Sequence, residues 1–190
     1  EHRDMIGSGA AGDEQLAAVE YVVIAIADGA SADAVDVAAG AGLSMAACCD
    51  LAICTDKAKF TSAYTAIGLT PDGSSTWFLS RLIGNRRAME LYLTNRTLTA
   101  AEALNWGLVN QVVPAEQLDD TVTELAERLA KGPTLAHGGV KKLLQMAQND
   151  TLDSQMERET RSIVAMCTTG DGIEGVRAFI DKRKPDFKGV

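Results

Sequence analysis

From Val19 to Ala27 the chain runs through a short, β-branched apolar stretch (VEYVVIAIA) that stops at Asp28-Gly29, the pattern of a strand buried on both faces. Gly40-Ala41-Gly42 then opens LSMAACCD, whose Leu, Ala and small residues predict a helix packed closely against that strand. LAICT (51–55) and AKFTSA (58–63) predict two short strands flanking Asp56-Lys57. From Ser74 onward the apolar spacing lengthens to three or four, in STWFLSRLI and then RRAMELYLT, where Ala88, Leu91 and Tyr92 share one helical face. Thr99-Ala100-Ala101-Glu102 is a capping-box pattern that starts a helix, and Gly107 stops it. After a short strand in LVNQVVP, helices are predicted over 115–131, 134–148, 152–166 and 170–183. The pattern therefore predicts a mixed α/β core over 1–113 and an all-helical region over 114–190.

Composition narrows the function classes. With 190 residues, 46% of them apolar and 23% charged, the chain has the profile of a soluble globular protein. A net charge of -8 argues against a nucleic-acid partner, because such binding rests on neutralising phosphates. The most apolar region, 21–54, is interrupted by Asp28, Asp33, Asp36 and Asp50. Each would cost about 2.5–3.5 kcal/mol near a bilayer centre, so no membrane partner is expected. The N-terminus reads as charged and Gly-rich rather than as a targeting segment. The four cysteines follow no ligand spacing, and His2 and His137 stand apart from other ligand types, so reduced thiols, a cytoplasmic location and no metal are expected. His137 reads as a surface helix residue.

The blocks VVIAIADGA, AAGAGLSMAACCDLAIC, AKFTSAYTAIGLTPDGSSTWFLSRLIG, NRTLTAAEALNWGLVNQVVP and EGVRAFIDKRKPDF, in that order, resemble the enoyl-CoA hydratase/isomerase (crotonase) superfamily from about Val22 to Phe187. Within it the chain is most similar to epoxyphenylacetyl-CoA isomerases and 3-enoyl-CoA isomerases, and is similar to 4-chlorobenzoyl-CoA dehalogenase around AIGLTPD and RRAMELYLTNRTL. The resemblance implies a crotonase-like layered α/β core, here expected to be truncated at its N-terminal end. It also implies C-terminal helices that build a trimer or a hexamer of paired trimers, and an acyl-CoA substrate whose coenzyme A portion makes a separate cofactor unnecessary.

The resemblance also implies roles for particular residues. A thioester is activated when its carbonyl oxygen gains negative charge that backbone N–H groups and a helix N-terminus can hold. One such donor falls on Ala41, between Gly40 and Gly42. The residues alone leave open that this turn only permits close helix-to-strand packing. The two hydratase glutamates fall on Ser44 and Tyr64, neither of which can do a glutamate's proton transfer at neutral pH, so water addition is not expected. Asp72 falls on the aspartate that serves as base in the isomerases and as nucleophile in the dehalogenase, and Pro71-Asp72 is the isomerase form. A partly desolvated carboxylate would suit that transfer. An aspartate before STWFLSRLI also has a plainer reading as a helix cap. Tyr64, Ile67 and Trp77 are implied to line the acyl pocket, the two aromatics having core packing as the alternative. Phe179 and Lys182, with Arg183 and Lys184, are implied to meet the coenzyme A head across a subunit boundary. The alternative there is a set of cations steadying a helix end.

Two departures from the family bear on activity. Only some 20 residues precede Val22 where the family has about 80 to 100, among them the loop that supplies the second oxyanion donor, so the sequence is expected to be a fragment, and GSGAAGDE (7–14) is not assigned to that loop. The link between Gly29 and Gly40 is lengthened to ten residues, ASADAVDVAA, and brings Asp33 and Asp36 toward the thioester pocket. The expected activity is proton transfer on an acyl-CoA by an isomerase. A catalytically impaired acyl-CoA-binding homologue and a dehalogenase-like hydrolase are the alternatives.

Overall fold

The computed structural model describes Val23–Ile26 as backbone and residues 37–190 in full. Residues 7–14, Asp33 and Asp36 lie outside the described residues. The described chain divides into two compact units, the first ending at Thr123 and the second running from Glu124 to Val190. The division falls inside a helix, beyond the end of the last strand at Val113.

The first unit contains, in order, β1 (Val23–Ile26), β2 (Val37–Ala39), α1 (Ala41–Cys48), β3 (Leu51–Thr55), β4 (Lys59–Thr61), α2 (Ser75–Leu82), α3 (Asn85–Thr94), β5 (Leu98–Thr99), α4 (Ala100–Trp106) and β6 (Gln111–Val113). Two three-stranded sheets form the layers. One is β1-β3-β6, parallel throughout, with Val23 opposite Leu51 and Ile53 opposite Gln111. The other is β2-β4-β5, in which β2 runs parallel and β5 antiparallel to β4. β2 corrects the sequence reading: the last three residues of the lengthened link are a strand, held because Val37–Ala39 pair with Lys59–Thr61. No turn signal or alternation marks so short a segment, and only the partner strand specifies it.

The central strand β3 is buried from Ala52 to Thr55, as a parallel strand covered on both faces should be. Leu43, Phe60, Leu79, Leu91 and Leu98, all at most 1% exposed, form the heart of the core, each contributing about 1.5–3 kcal/mol. Cys54 is wholly buried, and burial pushes its thiol up to about 11, so it behaves as a small apolar residue. α1 packs on α2, which brings the start of α1 to the turn that precedes α2.

The expected capping box is present at α4. Thr99 Oγ1 accepts the Glu102 N–H at 3.2 Å, and Glu102 Oε2 accepts the Thr99 N–H at 2.9 Å. These bonds and Arg96 hold the Glu102 carboxyl below its usual range. Gly107, at φ 82°, closes the helix. Thr99→Ala is expected to destabilise the protein by about 1 kcal/mol in urea unfolding, with an unchanged m-value.

α5 (Leu118–Ala130) is preceded by a 3-10 turn at Ala115–Gln117, where the sequence predicted α-helix, and it runs across the division. The second unit continues with α6 (Thr134–Ala147), α7 (Leu152–Cys167) and α8 (Gly170–Ile180). α8 stops three residues before the expected Arg183. Lys182 turns left-handed at φ 53°, its N–H reaching Phe179 O at 3.3 Å and the Arg183 N–H reaching Ala178 O at 3.0 Å, a Schellman stop. The tail then folds back on α8: the buried Asp171 carboxylate accepts the N–H groups of Lys188 (2.7 Å) and Gly189 (2.9 Å). His137 is on a helix as expected but half-buried, its ring lying so close to Gly132 that a Cβ there would come within 2.5 Å of it. Among the described residues no helix is long and apolar enough to cross a membrane.

Candidate active site

The site grows from the loop after β4. Asn95, left-handed at φ 49° past the end of α3, accepts the Ser62 hydroxyl through Oδ1 (3.2 Å) and donates from Nδ2 to Thr65 Oγ1 (2.6 Å). Thr65 donates in turn to Tyr92 O (2.5 Å). These bonds clamp the residues on both sides of Tyr64, and Gly68 at φ 75° lets the chain turn from there toward Pro71. Sequence reasoning missed Asn95. Its signal was an Asn just past the last periodic residue of RRAMELYLT, a position that favours left-handed backbone.

Three elements then converge. Gly40 caps α1 at φ 53°, ψ -117°, a conformation that requires glycine for its backbone, since an added Cβ would have only ordinary contacts, 3.9 Å away, with Ser62 O and Tyr64. Ala41 and Gly42, the first helical residues, are exposed, and their amides have no acceptor one turn back within the helix. One turn on, the buried Ser44 places Oγ 3.2 Å from Gly40 O, 3.3 Å from the Tyr64 hydroxyl and 3.3 Å from Asp72 O. Tyr64 donates its phenolic proton to Asp72 Oδ1 at 2.5 Å. Gly73, at φ 59°, permits this approach, because a Cβ there would lie 3.1 Å from Ser44 Cβ.

The plainer reading of Asp72 does not fit this geometry. Ser74 is the N-cap of α2, no side chain caps that helix, and Asp72 serves it only through its backbone carbonyl, which accepts the Ser75 N–H at 3.2 Å. Its carboxylate is thus left for another task. Asp72 is exposed rather than partly desolvated, so its order comes from the Tyr64 bond and not from burial.

The other expected site residues divide between the units. In the first, Ile67 (72% exposed) and Trp77 (43%) stand out from the core, with Arg81 stacked 3.3 Å from the Trp77 ring centroid. Trp77 is therefore not a core aromatic, and Tyr64 is half-buried. In the second, Phe179 is 86% exposed at the end of α8 and Lys182 is exposed beside it. Arg183 is committed locally: it grips both oxygens of Glu174 at 2.6 and 2.9 Å, and this pairing with the Asp186 N–H draws the Glu174 carboxyl down to about 2. Of the cationic trio, Arg183 thus steadies the fold while Lys182 and Lys184 remain exposed.

The sequence and the fold are similar to those of known proteins. Residues 7–190 match the enoyl-CoA hydratase/isomerase family. The chain is 46% identical over 128 residues to 4-chlorobenzoyl coenzyme A dehalogenase-1 of an Arthrobacter species, covering 67% of this chain and 46% of that protein. It is 42% identical over 153 residues to the 1,2-epoxyphenylacetyl-CoA isomerase of Escherichia coli K12, covering 80% and 58%. The crystal structure of an enoyl-CoA hydratase/isomerase from Cupriavidus metallidurans superposes with a TM-score of 0.79 at 30% identity, over 89% of this chain and 61% of that one. The chain thus spans about half the length of the curated relatives it matches. A layered core of two small sheets, a Gly-Ala-Gly helix start and this agreement in sequence and fold lead to one conclusion: the chain has a crotonase-like fold and belongs to the enoyl-CoA hydratase/isomerase family.

Proposed function

We propose that the protein is an acyl-CoA isomerase in which Asp72 moves a proton between two carbons of the acyl chain. The observation that carries this reading is the placement of the Asp72 carboxylate: held by Tyr64, unused by helix capping, and linked through the Tyr64 hydroxyl to Ser44, one turn into α1. The carboxylate takes a proton from the carbon next to the thioester of a 3-enoyl-CoA. The electron pair moves into the carbonyl, and the resulting oxyanion is held by the Ala41 N–H and the start of α1. The same carboxylate returns the proton two carbons further on, leaving a 2-enoyl thioester. No atom is gained or lost. Hydration would need a second group to position and activate water, and Ser44 and Tyr64 bring hydroxyls to the two places where the resemblance implies glutamates.

A second reading has its own support in the similarity to an Arthrobacter dehalogenase. There the Asp72 carboxylate would attack the ring carbon that bears the halogen, expel halide, and be freed by hydrolysis of the ester. The two are separated by offering the purified protein a 3-enoyl-CoA and a 4-halobenzoyl-CoA. Isomerisation without halide release supports the first reading, and halide release supports the second.

The acyl-CoA head is placed by this reading at the end of α8 of a neighbouring subunit, with the exposed Phe179 and Lys182 as its contacts. Lys182 sits in left-handed backbone, so Lys182→Gly is expected to raise stability by about 1 kcal/mol while weakening the binding of a nonreactive acyl-CoA. Calorimetry at low and high salt, with thermal unfolding alongside, checks both halves. Unchanged affinity would remove Lys182 from the head-group site. The exposed apolar residues Leu152, Met156, Ile163 and Val164 along α7 support assembly into a homo-oligomer, the trimer or hexamer that the resemblance implies.

A further inference from the structure

The positions where the resemblance implies the two hydratase glutamates hold hydroxyls that touch each other, and one of them touches Asp72. Ser44 Oγ and Tyr64 Oη are 3.3 Å apart, and Tyr64 Oη is 2.5 Å from Asp72 Oδ1. The hydroxyl protons can be accounted for. Asp72, as a carboxylate, only accepts, so the Tyr64 proton points to it. The Ser44 proton then has three acceptors in reach, namely Tyr64 Oη, Gly40 O and Asp72 O. Each bond in a run from Ser44 to Tyr64 to Asp72 polarises the next. Ser44 is buried, and when its one proton goes to Tyr64 Oη the Gly40 and Asp72 carbonyls are the acceptors it forgoes. Tyr64 is anchored through its neighbours by Asn95.

We propose that Tyr64, backed by Ser44, is a positioning residue that holds the Asp72 carboxylate by Oδ1 and presents Oδ2 to the acyl group. The inference rests on Asp72 being the reacting carboxylate, and it holds whichever thioester reaction Asp72 performs. An exposed carboxylate on a glycine-bearing turn would otherwise sample several rotamers, and the phenol selects one of them. The arrangement also links the Asp72 carboxylate, through the Tyr64 hydroxyl, to Ser44 on the helix that starts at the oxyanion turn.

The test is a double-mutant cycle joined to a measurement that needs no turnover. Tyr64→Phe is expected to lower kcat about 10- to 100-fold, the span of one hydrogen bond to a charged group, with KM within about twofold. In an Asp72→Asn background the same change should have no further effect. An equal loss in both backgrounds, or an effect on KM alone, would overturn the proposal. Separately, the chain has three tyrosines, so labelling them with 13C at Cζ gives a resolvable spectrum in which Tyr64→Phe identifies Tyr64. That resonance should move in Asp72→Ala while the others stay. A Tyr64 resonance indifferent to Asp72→Ala would contradict the proposal even if no thioester were turned over. Absent turnover with a shifted resonance would sink the isomerase reading alone.

Discussion

Asp72→Asn is expected to lower kcat for isomerisation by about 10²- to 10⁴-fold, the range that a positioned general base supplies. The substitution keeps the shape of the side chain and an oxygen that can accept from Tyr64, and removes only the ability to take a proton. Asp72 is exposed and caps no helix through its side chain, so thermal stability should be little changed. Acyl-CoA affinity, measured by calorimetry, should stay within a few-fold, because the proposed contacts to the head group lie in the other unit. Unaltered kcat would remove Asp72 from the chemistry. A loss of binding together with activity would assign it a role in holding the substrate instead.

Ala41→Pro is expected to lower kcat by about 10²- to 10³-fold, the effect of removing one oxyanion donor. Proline is normally a severe change in a helix, but Ala41 is the first helical residue, where proline is favoured and its missing N–H breaks no internal helix bond. Gly40, at ψ -117°, does not have the helical backbone that a following proline disfavours. The variant therefore separates a donor from a packing device. If the Gly-Ala-Gly turn served only close helix-to-strand contact, activity would survive in Ala41→Pro and circular dichroism would match that of the parent protein. If it holds the enolate, activity falls while the spectrum stays unchanged.

The elements with strong local signals were readable from the sequence. Thr99 and Glu102 make the capping box that their spacing promised, Gly107 stops the helix, and LAICT is a strand buried on both faces. Features specified by partners rather than by their own residues were not readable. Val37–Ala39 becomes a strand because β4 lies beside it, and α8 ends at Ile180 because Arg183 is drawn to Glu174 and the tail returns to Asp171. The same distinction applies to the site. Gly40, Ala41 and Asp72 carry motif signals, whereas the bonds from Ser44 and Tyr64 to Asp72, and the Asn95 clamp behind them, join residues 8 to 33 positions apart and exist only in the fold. Ser44 and Tyr64 were legible as glutamate replacements, an argument about what they cannot do. Their contact with Asp72 supplies what they can do.

The protein is expected to transfer a proton and not to add water. This is tested most directly by incubating the purified protein with a 3-enoyl-CoA and following the acyl carbons by NMR. Conversion to the 2-enoyl thioester with no 3-hydroxyacyl product is expected, and so is loss of that conversion in Asp72→Asn. Accumulation of 3-hydroxyacyl-CoA, at a rate that Asp72→Asn leaves unchanged, would contradict proton transfer by Asp72.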